Sequence, residues 1–339
     1  MYIIYIIMAI LAFGILIIVH ELGHFTLAKL NGVRVEEFSI GMGPNVFSKQ
    51  GKETKYSLRL FPIGGYVKMM GEEESVEDER SFSAKSPLRR ISIIIAGVFM
   101  NYVLAILIFT FYIFSHGYVN TILSEVTPAS PAYEAGLLPG DKIERVNGSK
   151  SFASDDASFE IISSKGNPIY VDIDRNGEKK ELKVVPTKNE SDKFMIGVKF
   201  SPVESPSFGG SFKQSFNQTA SFVSLTFKGL ESIFTGKANL KTDVGGPITI
   251  IKMSSKAAEA GIWPLLYLTG FLSVNLAVFN LLPFPALDGG WCVILLIELI
   301  TRRKVPEKIV EAVNYFGFMV LIGLMILVVI KDIIFPVNL

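Results

Sequence analysis

Thiol, imidazole and indole side chains are scarce in this chain: its 339 residues include one cysteine, three histidines and two tryptophans. A lone cysteine, Cys292, excludes an intrachain disulfide. There is no basic excess either, and a formal net charge of +1 gives no reason to expect a nucleic-acid partner. No basic residue precedes the apolar run that starts at Tyr2, and no small-x-small cleavage site follows it. A secretory signal peptide has both, so the run is read as a retained helix.

Apolar residues are abundant. The chain is 49% hydrophobic with a mean hydropathy of +0.41, too apolar for an ordinary soluble protein of this length. Charged residues still make up 19%, so a soluble portion is expected as well. Four stretches are long enough to cross a bilayer, which takes about 20 residues of helix. They run from Tyr2 to Val19 and on to about Ala28, from Ile91 to Phe114, from Trp263 to Leu282 and from Val313 to Ile330. A further run, Trp291 to Ile300, is too short to cross. Basic residues mark the cytoplasmic side. One cluster, from Lys29 to Arg90, lies between the first two spans; another, Arg302, Arg303 and Lys304, precedes the fourth. Both fit a chain whose N-terminus, C-terminus and segment 116–262 lie outside the cytoplasm.

Between the spans, residues 33–70 read as short strands, with alternation in Tyr56-Ser57-Leu58-Arg59-Leu60. Gly41, Gly43, Gly64 and Gly65 mark turns or close backbone approach. A small hairpin domain accounts for this pattern; the alternative is a sheet beside the membrane site whose edge, at Gly64 and Gly65, takes an extended peptide. The acidic run at 72–80, EEESVEDER, reads as a solvated loop. Residues 120–201 have the pattern of a compact α+β domain. "PASPAYEAGLLPGDKIERVNG" resembles the PDZ domains attached to bacterial proteases, which bind extended peptides at a sheet edge. Ile196, Gly197 and Val198 are its candidate peptide-binding residues; a shield without a bound tail is the alternative. There is no second GLLPGD, hence no tandem copy. Phenylalanines at 212, 216, 222 and 227 predict an amphipathic helix, packed on that domain or lying on the membrane surface.

The chemistry is concentrated at "VHELGH", residues 19–24, at the end of the first apolar run. Ionisable groups in a membrane helix are costly and mark function. His20 and His24, at i and i+4, lie on one helical face and can share a zinc ion, with Glu21 beside them as general base. The plain alternative is a hydrogen-bonded histidine pair that packs against other helices. Catalytic zinc takes three protein ligands and keeps one position open. His116 lies at the far end of the second span, so a carboxylate is the better third ligand. "NLLPFPALDGG", residues 280–290, supplies Asp288 on the same cytoplasmic half. The alternative for Asp288 is an N-cap of the helix that begins at about Gly290. Asn275 and Asn280 on the third span either bind substrate backbone or join helices.

HELGH in the first span, one PDZ-like domain and N-x-x-P-x-P-x-L-D-G in the third together resemble the site-2 proteases, intramembrane zinc metalloproteases that include the bacterial regulator-of-sigma-E protease. The resemblance covers essentially the whole chain. It implies one zinc per chain on His20, His24 and Asp288, water activation by Glu21, and substrate contact through Asn280 and Asn275. The family's GxGP hairpin is Gly41 to Pro44 and its PxGGYV strand is Pro62 to Val67, which puts Gly64 and Gly65 in the substrate-binding set. The second-span motif, usually glycine-proline-x-x-asparagine, appears as Gly97 to Asn101 with Val98 in place of proline.

The expected fold class is a polytopic α-helical membrane protein with about four spans, a membrane-associated β-hairpin region and one inserted extracytoplasmic α+β PDZ domain. Its segments are 1–30 with HELGH, 31–90 with the β region and acidic loop, the second span at 91–115, PDZ at 116–201, amphipathic helix and connector at 202–262, the third span with LDG at 263–290, and 291–339 with a short helix and the fourth span. The expected setting is the bacterial inner membrane. Expected partners are lipid and membrane-protein substrates with a single transmembrane segment, such as anti-sigma factors or remnant signal peptides. A membrane metal-transport protein with a PDZ module is the competing reading. Only three histidines and the lack of a polar stripe through the spans weigh against it.

Overall fold

The computed structural model describes residues 2–72, 76–189, 192–241 and 243–336. In chain order the elements are α1 (Tyr2–Leu30), β1 (Val35–Gln50), β2 (Lys55–Met69), α2 (Pro87–His116), β3 (Tyr118–Val126), α3 (Pro131–Glu134), β4 (Lys142–Val146), β5 (Ser149–Lys150), α4 (Ser154–Ser163), β6 (Ile169–Arg175), β7 (Glu178–Val184), β8 (Thr187–Lys188), β9 (Phe194–Met195), β10 (Val198–Val203), α5 (Phe208–Phe234), α6 (Pro247–Ala260), α7 (Ile262–Leu281), α8 (Asp288–Thr301) and α9 (Glu307–Ile334). The chain divides into two units, Met1–Ile108 with Ser232–Leu339, and Phe109–Glu231.

In the first unit, Leu16, His20, His24 and Ala28 of α1 are buried at steps of four, which makes one stripe along the helix. Its other faces expose Ile3, Ile7, Leu11 and Ile15, as lipid contact requires. Helix α9 is exposed along most of its apolar length; Gly317 and Asp332 are its buried residues. Among the described residues, α1, α2, α7 and α9 are long and apolar enough to cross a membrane. The 14 residues of α8 fall short, as the sequence indicates. Below the histidines, Ala28, Phe38, Val67, Ile93, Cys292 and Leu295 join α1, the hairpin, α2 and α8 in one core. Arg90 at the start of α2 and Glu298 near the end of α8 form a buried ion pair, and the other Glu298 oxygen accepts the Val305 N–H at 3.1 Å. Asp332 accepts from the backbone of Gly246 and Thr249 and from the Thr249 hydroxyl, and so caps α6 from α9.

The strands at 33–70 are not short. They run for 16 and 15 residues and fold over each other. Phe38 pairs with both Val67 and Tyr56, while Lys49 also pairs with Tyr56. Four segments therefore lie side by side in the order 45–50, 55–59, 35–40 and 65–69, which leaves 65–69 at an edge. Left-handed backbone at Gly41, Gly43 and Gly64 permits the bends. Tight turns at those glycines are legible in the sequence; the double pairing they permit is not. Residues 73–75 of the acidic run lie outside the described residues.

The second unit is built on a sheet of order β10-β3-β4-β6-β7, with β5 paired to β4. Leu123, Leu137, Ile143, Ile161, Ile169 and Ile173 fill its core against α4. The aspartate of GLLPGD is structural here. Asp141 is buried, takes a bidentate pair from Arg175 at 2.7 and 2.8 Å, and accepts the Leu138 N–H at 2.9 Å. Helix α5 buries a polar face, Ser211, Gln214, Ser215, Gln218, Thr219 and Ser221, and leaves Phe212, Phe216 and Phe227 exposed. Phe222 alone of the four phenylalanines turns inward, onto Phe109.

Candidate metal and active site

One helical turn separates His20 from His24, and their Nε2 atoms lie 3.1 Å apart. Asp288 comes from the other end of the sequence and brings Oδ2 within 3.2 Å of the first and 3.6 Å of the second. That oxygen is buried and makes no hydrogen bond. Three donor atoms of the kinds zinc prefers thus face one another. Zinc bonds of about 2.0–2.2 Å in a tetrahedral arrangement separate ligand atoms by roughly 3.3–3.6 Å, close to the spacing observed. The donor set therefore fits zinc. The ring of His24 is fixed by its other nitrogen: Nδ1 donates to the Ile93 carbonyl at 2.9 Å, which leaves the Nε2 lone pair for the shared centre.

Local chain geometry brings these groups together. Gly23 and Gly97 let α1 and α2 touch backbone to backbone. A Cβ on Gly23 would lie 2.3 Å from the Ala96 carbonyl oxygen, and one on Gly97 would lie 2.4 Å from His24 Nε2. Asp288 opens α8 directly after an irregular turn. Gly289 and Gly290 allow that turn to close, since a Cβ on either would meet the carbonyls of Leu282 or Phe284 within 2.3 Å. From α9, Asn314 accepts the Ala286 N–H at 3.2 Å and holds the turn. The N-cap alternative for Asp288 does not hold: the cap residue is Leu287, and no side chain caps this helix.

Asn280 reaches the centre, with Nδ2 3.4 Å from His20 Nε2. The Asn275 amide donates to the Phe271 carbonyl of its own helix at 2.8 Å. Glu21 is half-buried and faces β2, where a Cβ on Gly65 would lie 3.4 Å from its Cγ. The hairpin is thus packed beside the site and is not an isolated domain. A Cβ on Gly64 would meet Met42. In the second unit the Gly197 carbonyl accepts the Thr127 N–H at 2.9 Å and the Ile196 carbonyl accepts the Ala132 N–H at 2.9 Å, while Val198 pairs with Val126. Residue patterns alone gave no signal for Ile93 or Asn314; Gly97 and Asn101 stood in a motif without a role.

Residues 8–324 match the family described as Peptidase family M50. The chain belongs to peptidase family M50, the site-2 proteases. It is a membrane zinc metalloprotease of that family. Its relatives include the Clostridium perfringens protein named "Putative zinc metalloprotease CPE1693", 53% identical over 98% of this chain and 99% of that one. The zinc metalloprotease RasP of Geobacillus kaustophilus is 30% identical over 96% of both chains. Among solved structures, the PDZ domain of a Listeria monocytogenes protein aligns with 24% of this chain and 88% of its own, at 19% identity and a TM-score of 0.23. A likeness that slight decides nothing about the fold. This M50 peptidase acts on membrane-protein substrates and is a multi-pass protein of the inner membrane.

Proposed function

We propose that this peptidase cuts the transmembrane segment of single-span membrane proteins at a zinc site held by His20, His24 and Asp288, with Glu21 as general base. The observation that carries the assignment is the convergence of two Nε2 atoms and one buried, unbonded carboxylate oxygen at 3.1–3.6 Å. Zinc held there supplies a Lewis acid that polarises the scissile carbonyl and acidifies water. Glu21 accepts the proton of the attacking water and delivers it to the leaving nitrogen. Asn280, beside His20, hydrogen-bonds the substrate backbone near the scissile bond, and Asn275 extends that contact one turn or more along α7. A helical substrate hides its carbonyls in its own hydrogen bonds, so it must unwind first. The edge segment 65–69, with Gly64 and Gly65 at its start, takes the unwound strand by β-addition.

The site lies toward the cytoplasmic half of the membrane, with both termini and the PDZ-like unit outside, as the two basic clusters favour. In that unit Ile196, Gly197 and Val198 form the peptide-binding edge, and the unit limits which substrates approach. Anti-sigma factors and remnant signal peptides are the substrate types that suit a bond buried in lipid.

Metal analysis tests the assignment. Purified protein should carry about one zinc per chain, and His20→Ala, His24→Ala and Asp288→Ala should each remove most of it. Glu21→Gln should keep zinc and lose turnover, because it removes the base alone. Full zinc and activity in Asp288→Ala would reject the third ligand.

A further inference from the structure

Asn101 is fully buried on α2, one turn past Gly97. Its side-chain amide stands against the ring nitrogen of His20 that points away from Asp288: Nδ2 lies 3.4 Å from His20 Nδ1, and Oδ1 has no hydrogen-bond partner. The two histidines thus differ in what holds their outer nitrogens. A carbonyl such as Ile93 O can only accept, so it fixes the tautomer of His24 by itself. An amide can accept through oxygen or donate through nitrogen, and its two ends exchange by a half-turn of the side chain.

Counting partners does not choose between the two orientations, since one end lacks a partner in either. The tautomer of His20 does. With Nε2 turned to the shared centre and its lone pair committed there, Nδ1 must carry the proton. A proton on Nδ1 needs an acceptor, and within reach of that atom stands the Asn101 amide. We infer that Asn101 accepts the Nδ1–H of His20 through Oδ1, and so is the positioning residue that fixes the tautomer and ring plane of this zinc-binding histidine. Asn101 then does for His20 what the Ile93 carbonyl does for His24. The Asn101 main-chain carbonyl accepts the Ser273 hydroxyl at 2.9 Å, which ties the same residue to α7, the helix that carries Asn280. Partners of this kind orient ligating histidines and raise their basicity, so their loss weakens metal binding without removing a ligand.

The inference rests on the proposal that His20 holds zinc, and the test separates the two. Zinc affinity of the full chain in detergent is measured by competition with a chelator, independent of turnover. Asn101→Leu keeps the volume and cannot accept; it should bind zinc roughly 10–100-fold more weakly. Asn101→Asp can only accept, and should stay within about threefold of wild type. Should a buried carboxylate prevent folding, Asn101→Ser carries the same test, because its hydroxyl can accept the proton; its affinity should lie above that of the leucine variant. Wild-type affinity in Asn101→Leu, or an acceptor variant as weak as leucine, overturns the role of Asn101. His20→Ala is the reference: if it keeps zinc, the ligand assignment itself falls, whereas zinc lost there and kept in Asn101→Leu rejects the Asn101 role alone.

Discussion

Gly97 shows how much of the centre depends on a missing side chain. Its α-carbon lies where a single methyl would overlap both imidazoles, at 2.4 Å from His24 Nε2 and 2.8 Å from His20 Cε1. Gly97→Ala should therefore displace the rings, and since those two rings are the proposed zinc ligands, zinc content should drop sharply while the far-ultraviolet circular dichroism of the helices stays unchanged. Normal zinc content in that variant would mean the two helices can part at small cost. The histidines and glutamate of HELGH were legible because i, i+4 spacing on one helical face is a property of the sequence itself. Asp288 was legible as the carboxylate that NLLPFPALDGG places on the same cytoplasmic half as HELGH. Gly97 and Asn101 were visible only as members of a motif, because a glycine or an asparagine in an apolar helix looks alike whether it packs helices or fits a metal centre. Ile93 acts through its carbonyl, which every residue has, and no pattern can single it out.

At the level of elements, the four membrane-length helices and α8 followed from apolar length, and their ends fell within a few residues of expectation, apart from an earlier start to α9; α6 lies in a stretch that reads only as connector. The hairpin was found but its form was not. Pairing one strand segment with two others depends on left-handed glycines at 41, 43 and 64 acting together, and alternation reports only the local strand. Helix α5 was expected from the spacing of its phenylalanines, yet period alone does not say which face is turned inward. The inward face is polar: Gln218 donates to Asp155 at 2.9 Å, and Lys228 pairs with Glu160 at 2.7 Å. In the sheet of the second unit, Asp141 yields a prediction with a sign. Burial pushes its carboxyl up, but the Arg175 guanidinium and the Leu138 N–H outweigh that, and its pKa lies below the ordinary value. A lowered carboxylate pKa stabilises the fold above the unfolded-state pKa, and that stability is lost as pH falls through the folded-state value. Acidification below about pH 4 should thus loosen the sheet first around β4 and β6, read by hydrogen exchange of their amides. Asp141→Asn should weaken the same region at neutral pH by roughly 2 kcal/mol, the scale of a hydrogen bond to a charged group. Equal protection in wild type and variant at pH 7 would deny the pair that role.

For the molecule as a whole, the arrangement across the membrane is the open property that one experiment reads. Thiol reagents added from outside intact cells should label cysteines introduced at positions 140–200 and should miss those at 72–80. Labelling of the acidic loop from outside would reverse the orientation and place the peptidase site toward the opposite face. The basic clusters carry that expectation, and charge distribution is a global feature that the sequence displays more plainly than any single contact.

The native Cys292 bears on how such an experiment is run. It is buried in the core shared by α1, the hairpin and α8. A maleimide that cannot enter that core meets no other sulfhydryl, so the unaltered chain serves as its own blank. Each engineered position then reports only itself, and no preliminary serine replacement is needed that would put a polar group among Ile93, Ile94 and Leu295.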